Sequence, residues 1–436
     1  MIFPGRRAIL NLTIFLLMAA GFGDCKRDGD QEPPVITVSA PNEGRIYQVT
    51  DIIHISAIFR DNERLTSVKL TLMDAENRPA LPSVSLEPST KQYTLTSDYP
   101  IDNPELKSGL YELDFQASDG FNTTNVFVKI SLVELPRVFS YPVIVTRPQP
   151  AKLNVFRLSE SGDWAKIFSQ QGDYAGSAVN SHYQQFYLSG ASDGNLTAWN
   201  LKDNFVIWSK AAEQLPDGQW FESLSYLDPL LYVSYHDGSI KAFDKTGTTA
   251  ITSEIVTPYF PVKTSLSGNY LAAALHSTHD QGWALGIYYS QSGKLKAIQS
   301  PAPEIMGIYP LDTYRLLTFG NLWGNGSVNL YDLRYDQFTD VKLIPGDTLF
   351  SISAMDTDNY FISGLHGVYW FRYSDNSLVE FAACSGKARL ACEDLNREVF
   401  IGAGKKLLVY SFPDGILQQI LNVPDSILDV HLLYNK

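Results

Sequence analysis

Four of the chain's seven histidines, His236, His276, His279 and His366, stand in turn-forming stretches that directly follow β-rich runs. Trp220, Trp283, Asn321 and Trp323 lie in or beside similar stretches, the fullest being His276-Ser277-Thr278-His279-Asp280-Gln281-Gly282-Trp283. Imidazole, indole and amide groups at turn tips suit stacking on a sugar ring or gripping a loop of another protein. These eight residues are the ligand-binding candidates. Zinc would need three or four ligands within about 2 Å of one ion, a demanding condition for histidines on separate turns, so no metal is expected. Paired carboxylates could instead cleave a glycoside, and Glu222, Glu304 and Asp356 are the candidate acids, although nothing in the sequence brings them together. The chain holds no glycine-rich phosphate loop and no His-Glu-x-x-His pair. No residue is assigned a catalytic role, and no cofactor is expected.

The elements that carry these side chains follow from composition. The chain has 436 residues, 44% apolar and 19% charged, which provides a core and leaves too few charges for a disordered tract. Aromatic residues make up 12%, and 30 Gly and 23 Pro accompany them, a mixture of short strands and turns that reads as all-β. The net charge of −13, with Lys and Arg scattered, leaves no basic surface for phosphates, so nucleic acid is not an expected partner.

Arg6 and Arg7 precede an apolar stretch from Ala8 to Phe22, too short to span a bilayer and suited to an export signal over residues 1–24. Gly21-Phe22-Gly23-Asp24-Cys25 resembles the lipobox of bacterial lipoproteins, although Asp24 stands where that family prefers a small residue. The resemblance implies that Cys25 is acylated and becomes the mature N-terminus. Residues 25–34 are polar, with Arg27, Asp28, Asp30 and Glu32, and read as a tether. The cysteine followed by an acidic tether is similar to lipoproteins of the Bacteroidota. That likeness implies an outer-membrane anchor, on the periplasmic side or at the cell surface.

Residues 35–134 alternate strand-like runs with turn clusters, and Tyr111-Glu112-Leu113-Asp114-Phe115-Gln116-Ala117 places an apolar residue at every second position. That pattern is a strand with one packed face, and six such runs suit a β-sandwich. The phrase Gly109-Leu110-Tyr111 leading to Ala117-Ser118-Asp119-Gly120-Phe121-Asn122 resembles the late strands of bacterial immunoglobulin-like modules. Asp61, Glu63 and Asp119 read as turn residues, because the acidic pattern of calcium-bridged repeats is incomplete.

From residue 137 to 436 a weak repeat runs to the end. Its β-rich cores align at Ile144, Tyr187, Tyr232, Leu271, Leu316, Phe361 and Phe400, spaced 39 to 45 residues apart. Strand, Asp-Gly turn, strand is plainest in Leu231 to Asp244. Seven units of this length predict a seven-bladed β-propeller, with inner strands at Ser177–Asn180, Ser223–Leu227, Ile305–Tyr309, Ser351–Met355 and Ala388–Cys392. The first unit lacks an inner strand upstream, and Ile427 to Tyr434 has no sheet of its own. The C-terminal strand is therefore expected to close blade one. Ala242-Phe243-Asp244-Lys245-Thr246-Gly247 and Ile207-Trp208 resemble the repeats of quinoprotein-like propellers more than WD repeats. Quinoprotein dehydrogenases pair their cofactor with calcium and with adjacent cysteines, whereas Cys384 and Cys392 are eight positions apart; whether those two are bridged stays open.

The functional expectation is a non-catalytic cell-envelope lipoprotein whose propeller presents a face to an envelope protein or a glycan. The alternative is a carbohydrate-active hydrolase or lyase with acidic residues at the propeller channel. Carboxylates converging in that channel would point to the enzyme, and a serine-lined or apolar channel to binding.

Overall fold

A computed structural model describes residues 30–436 except 160, 214, 216, 217 and 385, so Cys25 and the proposed export signal lie outside the described residues. Every regular element among the described residues is a β-strand. The chain divides into two units, Met1–Pro136 and Arg137–Lys436.

The first unit contains two sheets. One orders Val35–Ala40, Ile52–Arg60 and Gln92–Pro100; the other orders Arg45–Gln48, Thr123–Val133, Gly109–Ser118, Ser67–Met73 and Val84–Leu86. Strict alternation buries Ile53, Ile55, Ala57 and Phe59 from one sheet and Leu113, Phe115 and Ala117 from the other in a single core. Burial of each large side chain contributes about 1.5–3 kcal/mol. Sequence pattern missed Arg45–Gln48 and Val84–Leu86, which are too short to show an alternation.

The second unit is built from four-stranded antiparallel sheets, seven among the described residues. The first joins Trp164–Gln171, Lys152–Leu158, Phe139–Gln149 and the C-terminal Ser426–Tyr434. The other six are consecutive meanders whose inner strands are Gly176–Asn180, Phe221–Leu227, Tyr259–Ser267, Glu304–Pro310, Ser351–Ala354 and Arg389–Glu393. Each inner strand neighbours the next, and Ser426–Tyr434 touches both Arg389–Glu393 and Gly176–Asn180, so the inner strands form a closed ring. The tail strand is held by pairs such as Val430 with Ile144 and His431 with Val143.

The closed ring explains the continuous apolar runs. In Tyr270–Ser277, Leu271, Ala273 and Leu275 pack against the third sheet, while Ala272 and Ala274 pack against the fifth. A strand buried on both faces has no polar side to show. One such core fills each junction between neighbouring sheets, including that between the seventh and the first. Trp208 ends the second sheet by lying over Gly247 of the third: a Cβ there would stand 2.7 Å from the indole, and the φ of +82° favours glycine. Cys384 and Cys392 are both free thiols.

Candidate functional site

The turns between second and third strands all lie at one end of the ring, together with the loops that enter the inner strands. Capping residues fasten this end. Asp173, just before Gly176–Asn180, accepts hydrogen bonds from the backbone N–H groups of Ala191, Ser192 and Asp193. Asp347 plays the same part in the sixth sheet, accepting from the N–H of Leu365 and the hydroxyl of Tyr369. Gly190-Ala191-Ser192-Asp193-Gly194 spells the Gly-x-Ser-x-Gly string of hydrolases, but here it is this capped turn, and a strand follows it. A nucleophile elbow leads into a helix.

The expected rim residues are placed unequally. His236, Phe260, His276 and Trp283 form one aromatic strip across the third and fourth sheets, with ring centroids 4.5, 5.2 and 4.5 Å apart in that order. Phe260, which no turn pattern marked, bridges the two histidines. The Nδ1 of His236 is 2.5 Å from a carboxylate oxygen of Glu222, whose other oxygen accepts from Gln219. Trp323 tips the fifth sheet's turn at 92% exposure. His279 and His366 are exposed on their turns, and among the described residues no ring contact joins them to the strip. Two candidates do other work. Trp220 is 5% exposed, packed edge-on against Tyr235 and Phe221, and offers no face to a ligand. Asn321 is a clamp: its amide donates to Glu304 and to the Leu349 carbonyl, and accepts from the Leu349 N–H.

The three acids weighed for glycoside cleavage do not meet. Glu222 is committed to His236, Glu304 to Asn321, and Asp356 caps the turn to Asn359 at the other end of the sixth sheet. None of them lines the central channel, a cavity of about 720 Å³ bounded by all seven inner strands.

The channel has its own cluster. Tyr174 and Ser177 donate to Asp429 Oδ2 at 2.7 and 3.0 Å, His431 Nε2 is 2.8 Å from the Ser177 hydroxyl, and Asp429 Oδ2 is 3.4 Å from the same nitrogen. Burial pulls the Asp429 carboxyl upward, but the His431 ring and the bonds from His431 and Tyr174 outweigh it and hold the group well below the carboxylate range. Burial and Asp429 together push the Tyr174 phenol upward. Lys263 and Arg389 line the same cavity with no hydrogen-bonding partner among the described residues. Burial lowers the Lys263 ammonium; Asp429 counters this and Arg389 adds to it.

Serine, histidine and aspartate are thus adjacent without forming a relay. A relay needs the acid on one ring nitrogen and the hydroxyl on the other, whereas both Ser177 and Asp429 face Nε2. Sequence reading passed over this cluster, although its mark was present: Asp429 and His431 alternate in an otherwise apolar strand expected at the centre of the ring.

No family model matches the chain, and no curated protein does. Solved structures do. A protein from Lactobacillus plantarum superposes with a TM-score of 0.52 at 14% identity, over 68% of this chain and 100% of its own. A putative 6-phosphogluconolactonase from Bacteroides fragilis gives 0.50 at 12%, over 67% and 97%. A quinoprotein alcohol dehydrogenase-like protein from Bacteroides thetaiotaomicron gives 0.47 at 13%, over 92% and 99%. At such identities the likeness is one of fold alone. The ring of four-stranded sheets in the second unit is a β-propeller.

Proposed function

We propose that this chain is an exported lipoprotein, anchored to the outer membrane through Cys25, in which an immunoglobulin-like module over residues 35–134 spaces a seven-bladed propeller over residues 137–436 from the bilayer. The propeller binds and does not turn over its ligand. The observation that carries this reading is the channel wall: among the described residues its one carboxylate, Asp429, is already held by Tyr174, Ser177 and His431, and Ser223, Ser225, Ser265 and Ser351 stand among apolar side chains in the rest. Among the described residues, that wall holds no second carboxylate to pair with Asp429 for glycoside cleavage. The binding face is the end bearing the His236–Trp283 strip and Trp323, where aromatic faces can stack on a sugar ring or clasp a protein loop.

The test is the double replacement Trp283→Ala with Trp323→Ala, assayed by glycan array for the soluble chain and by co-purification of the lipidated form from envelopes. Loss of the wild-type ligand at an unchanged melting temperature supports the face; retained affinity discards it.

One observation favours a second reading, lyase action on an acidic sugar. Lys263 and Arg389 could neutralise a carboxylate beside Tyr174 and His431, the kind of groups that move protons in an elimination. Tyr174 holds its proton more tightly than a free phenol, which is the wrong direction for a base. Ultraviolet-absorbing unsaturated products from polyuronates would establish this reading, and their absence leaves binding.

A further inference from the structure

Three aspartates meet at one end of the first unit. Asp30 precedes the strand Val35–Ala40, Asp61 follows Ile52–Arg60, and Asp119 follows Gly109–Ser118, and one carboxylate oxygen of each lies within 4.8 Å of the others. Each carboxylate is oriented by bonds to its own surroundings. Asp30 Oδ1 accepts from the Glu32 N–H and the Asn62 amide; Asp61 Oδ1 accepts from the N–H groups of Glu63 and Arg64. Asp119, 7% exposed, accepts from the N–H groups of Phe121 and Asn122 and from the Asn122 amide.

What those bonds leave over points to a ligand. Oδ2 of Asp30 and Oδ2 of Asp61 are each wholly buried and have no hydrogen-bond partner. A buried carboxylate oxygen without a partner forfeits its hydration for nothing, and here two stand beside a third carboxylate. No Lys or Arg among the described residues pairs with any of the three; the nearby Lys91 ammonium is turned onto the Asn62 carbonyl. Three converging negative charges need a cation of more than one charge. The donors are all oxygen, which suits a hard ion and not zinc or copper. Oxygens held by irregular loops, with a span allowed up to about 5 Å across the ion, suit calcium better than magnesium, which demands a tighter octahedron.

We infer that Asp30, Asp61 and Asp119 form a calcium site that fastens the segment ahead of the first strand to the end of the sandwich. Glu63, considered with Asp61 and Asp119 from sequence, contributes only its backbone N–H, and Asp30 takes its place.

The experiment titrates calcium chloride into the full-length soluble chain after chelation, by calorimetry, alongside the double variant Asp30→Asn with Asp61→Asn. Asparagine keeps the accepting Oδ1 of each turn, so the backbone bonds survive. One calcium per chain is expected, with affinity falling roughly tenfold or more in the variant, and with magnesium binding more weakly. The melting temperature adds a readout that a purely structural role would not move. With calcium the variant melts below the wild type; in chelator the order reverses, because the variant relieves the repulsion among the carboxylates. No calcium heat with the wild type, equal binding by the variant, equal preference for magnesium, or the same melting order in both conditions would each overturn the site.

Discussion

Two tryptophans that look alike in the sequence separate cleanly once burial is known. Trp220 is packed among Tyr235, Phe221 and the Lys241 ammonium, so Trp220→Ala removes a core ring and should cost about 3–5 kcal/mol in urea unfolding. Trp323→Ala at an exposed turn tip should leave the unfolding midpoint in place and weaken ligand binding only. Asp429 yields a prediction with a sign. Its folded carboxyl lies below the ordinary value, so its contribution is complete above about pH 5 and is lost as pH falls through the ordinary value toward the folded one, because the unfolded chain takes up the proton first. The stability deficit of Asp429→Asn relative to wild type should therefore shrink between about pH 5 and pH 2; parallel stability curves would show that the carboxylate is not held by Tyr174, Ser177 and His431. At this scale the sequence was least legible. Residue type marks histidines and tryptophans, but only the ring decides that Asn321 is a clamp, or that Tyr174, Ser177, Lys263, Arg389 and His431, from four different sheets, share one channel.

Strands were legible where both neighbours are apolar. Runs such as Leu230–Tyr235 and Tyr270–Ser277 announce themselves because each face packs on another sheet. The inner strand Tyr259–Ser267 escaped the pattern, since Lys263 and Thr264 in its middle face the channel and interrupt the apolar run. The short Arg45–Gln48 escaped because its pairing with Thr123–Val133 is parallel and announced by no hairpin turn. The pairing of Ser426–Tyr434 with Phe139–Gln149 has a direct consequence for stability. Without residues 426–436 the first sheet would lose its inner strand, the ring its closure, and the channel both Asp429 and His431. Such a truncation should abolish the cooperative unfolding of the second unit. A melting transition unchanged in midpoint and steepness would mean that the tail strand is dispensable.

At the scale of the whole molecule, the repeat period was enough to foresee sheets arranged in a ring, because units of this size bury their faces only against one another. Ligand identity was not legible, since propellers of one shape host unrelated functions. The proposal that remains is directional: one end of the ring receives the partner. Leu365 lies in a turn at that end and Leu395 in a turn at the opposite end, and both are 46% exposed. The most direct test places a photoreactive leucine at one position or the other in the full-length chain and irradiates intact cells that express it. A discrete adduct from position 365 that is lost with Trp283→Ala and Trp323→Ala, and none from position 395, is the expected result. Adducts from position 395 alone, or equal adducts from both positions, would contradict a binding face at the His236–Trp283 end.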